Sequence, residues 1–152
     1  MNQTRKRCEW AGSNPLMVRY HDTEWGVPVK DDKKIFEFLV LESAQAGLSW
    51  QTILNKREGY RKLFAGFNPA KIATFGKAEV TKLLKDPSII RNRLKIEATI
   101  NNAKRFLEVQ KEFGSFSGYV WQFVGGKPID GKRKRMKDIP AVTKEEIGRA
   151  HV

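Results

Sequence analysis

Hydrophobic positions recur at helical spacing through most of the chain. The densest run is Ile35, Phe36, Phe38, Leu39, Val40 and Leu41. Asp31 or Asp32 can cap a helix over this run, which extends to about Ala46 and ends at Gly47. Ser49 then caps a second helix from Trp50 to about Arg57, and Tyr60 to Phe64 reads as a separate short piece. Asn68-Pro69 opens another helix, with proline in the favoured first position. Gly76 breaks the chain, and a short helix follows over 77–84. After a turn at 85–88, Ile89 to Arg93 reads as a helical turn that leads into a long helix ending near Glu112. The stripe of that helix is Ile96, Ile100, Ala103 and Leu107, with Phe106 beside it. Gly114 stops it, and Ser115 caps a last helix through Phe123. No alternating run is long enough for a trusted strand, and no segment repeats. The pattern predicts an all-α fold.

Residues 1–30 break this regularity. Cys8, Trp10, Tyr20, His21 and Trp25 cluster there, punctuated by Pro15, Gly26 and Pro28. Irregular backbone with a turn or two of helix is expected, with Asn14-Pro15 as a turn or helix start. The 152 residues suit one domain, and 40% hydrophobic content suits a soluble core. No apolar run approaches the ~20 residues that span a bilayer, and no hydrophobic segment follows the basic N-terminus. A single cysteine excludes an internal disulfide. The expected setting is cytoplasmic, as a monomer without membrane attachment. The net charge of +12 favours a polyanionic partner, nucleic acid before an anionic membrane. Six Lys/Arg against one Asp fall in 127–137, which reads equally as a solvated basic loop.

Candidate chemistry begins at Glu42. It shares a helical face with Ile35, Phe38 and Leu39, so it either lies against apolar residues or ends the helix on a solvated edge. A carboxylate held against apolar side chains costs several kcal/mol unless it is hydrogen-bonded or faces a polar pocket. Trp10, Tyr20, Trp25 and Trp50 are either core or a slot for a planar ring. Enzymes that act on a base take it out of the stack and hold it between such side chains. Cys8 and His21 are half of a tetrahedral zinc set, although a lone Cys is most often a small buried hydrophobe. Arg91, Arg93 and Lys95 surround the start of the long helix, as an ordinary charged face or as phosphate contacts beside helix N-terminal amides.

Several ordered motifs resemble a known family. They are Cys8-Glu9-Trp10, the run from Tyr20-His21-Asp22 to Trp25-Gly26-Val27-Pro28, Leu41-Glu42, Gln45-Ala46-Gly47-Leu48-Ser49-Trp50 and Ile89-Ile90-Arg91-Asn92-Arg93-Leu94-Lys95-Ile96. They resemble the type I, constitutive bacterial DNA-3-methyladenine glycosylases. The resemblance implies an all-α fold of the helix–hairpin–helix glycosylase superfamily, incomplete at the C-terminus. It implies hydrolysis of the N-glycosidic bond of 3-methyladenine in alkylated double-stranded DNA during base-excision repair. It further implies a structural zinc held in part by Cys8 and His21, and Glu42 as the carboxylate that hydrogen-bonds the flipped base. Tyr20 and Trp50 would pack on that base, with Trp10 and Trp25 shaping the pocket. Met17 stands where some relatives carry tyrosine.

The same resemblance implies a departure at the end of the chain. Relatives continue beyond the basic tail with a Gly-rich helical hairpin segment and with two further zinc ligands, a His and a Cys. The expected organisation is a partial glycosylase domain over 1–145: a zinc-ligand segment 1–30, a helical core 31–124 and a basic loop 125–145. Residues 146–152 read as a non-native tail, such as a sequencing adapter would encode, so His151 is not counted as a ligand. On this reading two of four zinc ligands are absent, and the chain is expected to be unstable and weakly active or inactive. Two other classes remain: a non-catalytic basic helical module that binds nucleic acid, and a zinc-dependent scaffold in which Glu42 is structural. Whether 3-methylguanine is also a substrate is left open by the sequence.

Overall fold

A computed structural model describes residues 7–130 and Lys132. Among them there is no strand. The helices are α1 (Pro15–Thr23), α2 (Asp32–Gln45), α3 (Trp50–Leu63), α4 (Pro69–Ile72), α5 (Lys77–Leu83), α6 (Arg93–Phe113) and α7 (Phe116–Trp121), with short 3₁₀ turns at Glu9–Ala11, Ala65–Phe67 and Gln122–Val124. Two compact units divide the chain, 1–107 and 108–152. The second comprises the last turns of α6, α7 and the 3₁₀ turn after it, where Tyr119 packs on Phe113 and Phe123. The candidate residues all lie in the first unit.

Polar side chains set most helix starts in the way the sequence indicates. Asn14 caps α1 ahead of Pro15, Asp31 caps α2, Ser49 caps α3, Asn68 caps α4 ahead of Pro69, and Ser115 caps α7. Each accepts backbone N–H bonds that the first helical turn leaves unpaired. Gly47, at φ +76°, reverses the chain between α2 and α3. α1 is longer than the turn or two expected of this segment.

Two expectations along the chain are corrected. α3 does not stop near Arg57; it runs unbroken to Leu63. Gly59 is not a breaker, because a Cβ there would lie 2.7 Å from the Cβ and Oγ of Ser88. Glycine lets the 85–88 turn sit directly on the helix, and Lys56 fastens it by donating to the Pro87 carbonyl at 2.6 Å. Ile89 to Asn92 is not a helical turn. It is anchored instead by long-range contacts: Ile89 is buried, and the Ile90 N–H donates to the Tyr60 hydroxyl at 3.3 Å. α6 then starts at Arg93, with the Asn92 side chain accepting from the Lys95 N–H at 3.1 Å.

The core of the first unit comprises Phe36, Val40, Leu41 and Ala44 of α2, Ile53, Leu54 and Tyr60 of α3, Phe64, Phe67, Ile72, Val80, Leu83 and Ile89, and Ile96, Ile100, Ala103 and Phe106 of α6. Within the expected α6 stripe, Phe106 is buried and Leu107 only half-buried. Phe36 meets Phe106 edge-on at 5.0 Å. α2 packs on α3 and α3 on α1, so the helices that carry Tyr20, Glu42 and Trp50 are braced through α3, while Trp10 lies in the 3₁₀ turn before α1 and Trp25 just after α1.

Candidate functional site

α2 is apolar on two sides, for different reasons. Phe36, Val40, Leu41 and Ala44 face the core. Ile35, Phe38, Leu39 and Glu42 form the other face, as their spacing requires, and line an open cleft with Tyr20, Trp25, Val27 and Val29. Glu42 is therefore no neighbour of the core; as a residue it is exposed. Beside the cleft lies a cavity of about 190 Å³, lined by Trp10, Tyr20, Trp25, Glu42, Gln45 and Trp50. That is roughly six times the ~30 Å³ share of a water in the liquid, enough for a flat heteroaromatic ring.

The rings form a continuous wall. Tyr20 and Trp50 lie 5.2 Å apart at 57°, Trp10 and Trp25 5.3 Å apart at 71°, and Trp10 and Tyr20 6.2 Å apart. These four rings meet one another tilted or edge-on, while Trp25 stacks on His21 at 5.5 Å and 18°. Trp50 Nε1 is buried with no acceptor among the described residues. Met17 is buried and lies outside this lining.

No ion pair or hydrogen bond to Glu42 is found among the described residues, and loss of water around its carboxyl pushes the pKa up. Exposure and desolvation coexist because the groups around it are rings: the residue reaches the opening, while its carboxyl is bordered by apolar surface. The Tyr20 hydroxyl is also pushed up, first by burial, then by the negative charges of Glu42 and Glu24, against Arg57. The site thus holds a carboxylate that lacks a cation, beside aromatic faces that favour one.

A second carboxylate, which sequence reasoning missed, is the buried one. Glu37 is 4% exposed on the core side of α2. Its Oε1 accepts from Arg57 Nε at 2.7 Å and Arg61 at 2.9 Å, and its Oε2 from Lys34 at 3.2 Å. The two terminal nitrogens of Arg57 donate to the two oxygens of Glu24, both at 2.8 Å, and Lys34 reaches Glu24 at 3.0 Å. Arg57 and Lys34 hold Glu24 down to about 2 despite its burial. Burial would raise Glu37, and the same cations outweigh it, so its pKa is lowered. The available signal was Glu37 itself, the one charge inside Ile35 to Leu41.

Cys8 and His21 are brought together: the Cys8 N–H lies 3.3 Å from His21 Nε2. His21 Nδ1 is bonded to Asp22 Oδ1 at 2.9 Å, and Arg7 clamps Asp22 at 2.7 and 3.0 Å. A carboxylate behind Nδ1 is the arrangement that orients a metal-binding imidazole, but here the other nitrogen, Nε2, accepts from the Cys8 backbone N–H. The donor types suit zinc, yet they are only half of a structural set. Among the described residues no three His, Cys, Asp or Glu converge on a metal position. His151 and the tail 146–152 lie outside the described residues, as does most of the basic loop 125–145.

Arg91, Arg93 and Lys95 differ in their partners within the chain. Lys95 donates to the carbonyls of Ala44 at 2.8 Å and Ala46 at 2.6 Å, closing the C-terminal end of α2. That role was not expected, and it commits an ammonium that the sequence suggested for phosphate. Arg93 pairs with Glu97 at 3.3 Å, an exposed contact worth little. Arg91 is exposed. No helix among the described residues is long and apolar enough to cross a membrane.

The comparisons with known proteins give the family. The family model for methyladenine glycosylase matches residues 10–148. DNA-3-methyladenine glycosylase 1 of Escherichia coli is 44% identical over 138 residues, which cover 91% of this chain and 74% of the relative. The Haemophilus influenzae DNA-3-methyladenine glycosylase is 42% identical over 144 residues, covering 95% and 77%. The crystal structure of a 3-methyladenine DNA glycosylase I superposes with a TM-score of 0.90 at 43% identity, over 96% of this chain and 80% of the other. The Staphylococcus aureus enzyme, solved for its recognition of 3-methyladenine, gives 0.87 at 38% identity, over 91% and 74%. With the cavity, its ring wall and its carboxylate on helices shared along nearly the whole length, this chain belongs to the methyladenine glycosylase family.

Proposed function

We propose that this chain is a base-excision repair glycosylase that hydrolyses the N-glycosidic bond of 3-methyladenine in alkylated double-stranded DNA. The observation that carries the reading is Glu42: a carboxylate without a cation, pushed up by desolvation, at the mouth of a cavity walled by Trp10, Tyr20, Trp25 and Trp50. A base methylated at N3 carries positive charge. It relieves the carboxylate and lies against ring faces that attract cations. Neutral adenine offers neither gain.

The chemistry asks little of proton transfer. The flipped nucleotide places its base in the cavity. As the glycosidic C–N bond breaks, its electron pair leaves with the base and cancels the positive charge. Water oxygen bonds to the sugar's anomeric carbon, and a water proton passes to solvent. Glu42 holds the cationic base, and Tyr20 and Trp50 fix its plane. Arg91 and the basic surface around it serve the phosphate backbone. We place the helices in the helix–hairpin–helix superfamily on the family's behalf. We also assign Cys8 and His21 as two ligands of a structural zinc whose remaining ligands come from outside the described residues. Such an ion would tie the N-terminal segment down; no catalytic step passes through it.

The test is base release from methylated duplex DNA, with zinc measured on the same protein and free 3-methyladenine titrated by tryptophan fluorescence. Selective release of 3-methyladenine supports the reading. Equal, strongly salt-dependent binding to methylated and undamaged DNA, with no quenching by the free base, would favour a non-catalytic nucleic-acid-binding module instead.

A further inference from the structure

Six charges form a closed set behind the aromatic wall. Glu24, Glu37 and Glu58 face Lys34, Arg57 and Arg61, three against three, with every pair between 2.7 and 3.2 Å. Arg57 is its hub, only 13% exposed in its side chain. It lies on α3 two turns after Trp50, on the same face. Its terminal nitrogens take Glu24, which caps the end of α1 and directly precedes Trp25. Its Nε takes Glu37 on α2. Its guanidinium lies 5.6 Å from the Phe38 ring centre, and Phe38 in turn lies 6.3 Å from Tyr20. One planar fork therefore touches the supports of all three helices that carry the pocket.

We propose that Arg57 is a positioning residue for the base pocket, setting Tyr20 and Trp25 through Glu24 and the Phe38–Glu42 face through Glu37. The proposal rests on the base-binding reading above. Lysine cannot replace this arginine. A compact ammonium cannot bind one carboxylate in two places and a second one on its other edge. The matched charges have a further consequence: a guanidinium near a site for a cationic base would oppose that base, and two carboxylates cancel it.

Arg61 provides the control. It pairs with Glu37 and Glu58 in the same set, and touches neither Glu24 nor Phe38. Arg57→Lys, Arg61→Met and the parent would be compared for binding of free 3-methyladenine, for single-turnover base release and for melting temperature. Arg57→Lys is expected to weaken base binding about tenfold and to slow release at saturating DNA, since small displacements of aligned groups are costly. Arg61→Met is expected to bind within about twofold of the parent. Should Arg57→Lys fail to fold, Glu24→Gln takes its place, because it loosens the Trp25 side and leaves the Arg57–Glu37 bond. If both variants bind as the parent does, or weaken only in proportion to lost stability, the positioning role is overturned. If the parent itself does not bind the base, the base-binding reading falls and this proposal with it.

Discussion

Glu42 sits where its ionised form is unfavourable for folding and useful for binding. Because desolvation raises its pKa in the folded chain, folding takes up a proton there. A contribution of that kind is fully present below the ordinary carboxylate range and is lost as pH rises through the raised folded value. At pH 7 the ionised side chain therefore opposes folding. Glu42→Gln should melt higher than the parent at pH 7, and the gap should close toward pH 4. The same substitution should lower base release by about 10²-fold or more, as loss of a single electrostatic stabiliser does. Melting curves at the two pH values, with release assayed on the same samples, check both halves. A variant that melts lower at pH 7 would mean that the carboxylate has a favourable partner in the folded chain. The carboxylate, its spacing from Phe38 and Leu39, and the neighbouring tryptophans were all legible in the sequence. The geometry of the rings was not, because it depends on how α1, α2 and α3 cross.

At the scale of the element, α2 shows where pattern reading ends. Ile35 to Leu41 has apolar residues on nearly every side, which gives periodicity no single inward direction. One side packs into the core and the other lines the cleft, and both demand the same residue types. Glu37 was readable as an oddity, yet its partners Arg57 and Arg61 lie about six turns away in sequence, on another helix. Helix starts were legible because Asn14, Asp31, Ser49, Asn68 and Ser115 act on backbone within three residues of themselves. The misreadings came from contacts at long separation: Tyr60 on Ile90, Lys95 on Ala44 and Ala46, and Ser88 on Gly59. Gly59 permits a sharp test. Local propensity says that Gly→Ala inside a helix stabilises by roughly 0.5–1 kcal/mol. Here the added Cβ would meet the Ser88 side chain at 2.7 Å, with the Ser88 carbonyl closer still. Gly59→Ala should instead destabilise by about 1–3 kcal/mol through overpacking. Denaturant unfolding reads the sign directly, and a gain in stability would mean that the 85–88 turn yields without resistance.

Across the whole molecule the charge is uneven in kind rather than merely in sum. The chain carries a net +12, and many of the described lysines and arginines are exposed, whereas the cluster that links α1, α2 and α3 is balanced. That separation suits a protein that meets a polyanion on its outside and a cation in its pocket. It also makes the fold sensitive to acid. Glu24 is held at about 2, below an ordinary value of 4.5, and Glu37 is lowered in the same direction. For carboxyls depressed by folding, the stability they supply is present above the unfolded value and is lost as pH falls toward the folded one. For Glu24 the window runs from about 4.5 down to about 2. Protonation leaves Arg57 and Lys34 without their partners, and the net positive charge grows as the remaining carboxylates neutralise. Melting temperature should hold nearly level from pH 7 to 5 and fall steeply below 4.5. In Glu24→Gln, which starts less stable, the fall should be shallower because one depressed carboxyl is gone. Parallel curves for parent and variant would locate the acid sensitivity elsewhere. Glu42 has the opposite slope in the adjoining window above the ordinary 4.5, so a Glu42→Gln background should leave the fall below 4.5 as steep as in the parent and alter only the limb above it.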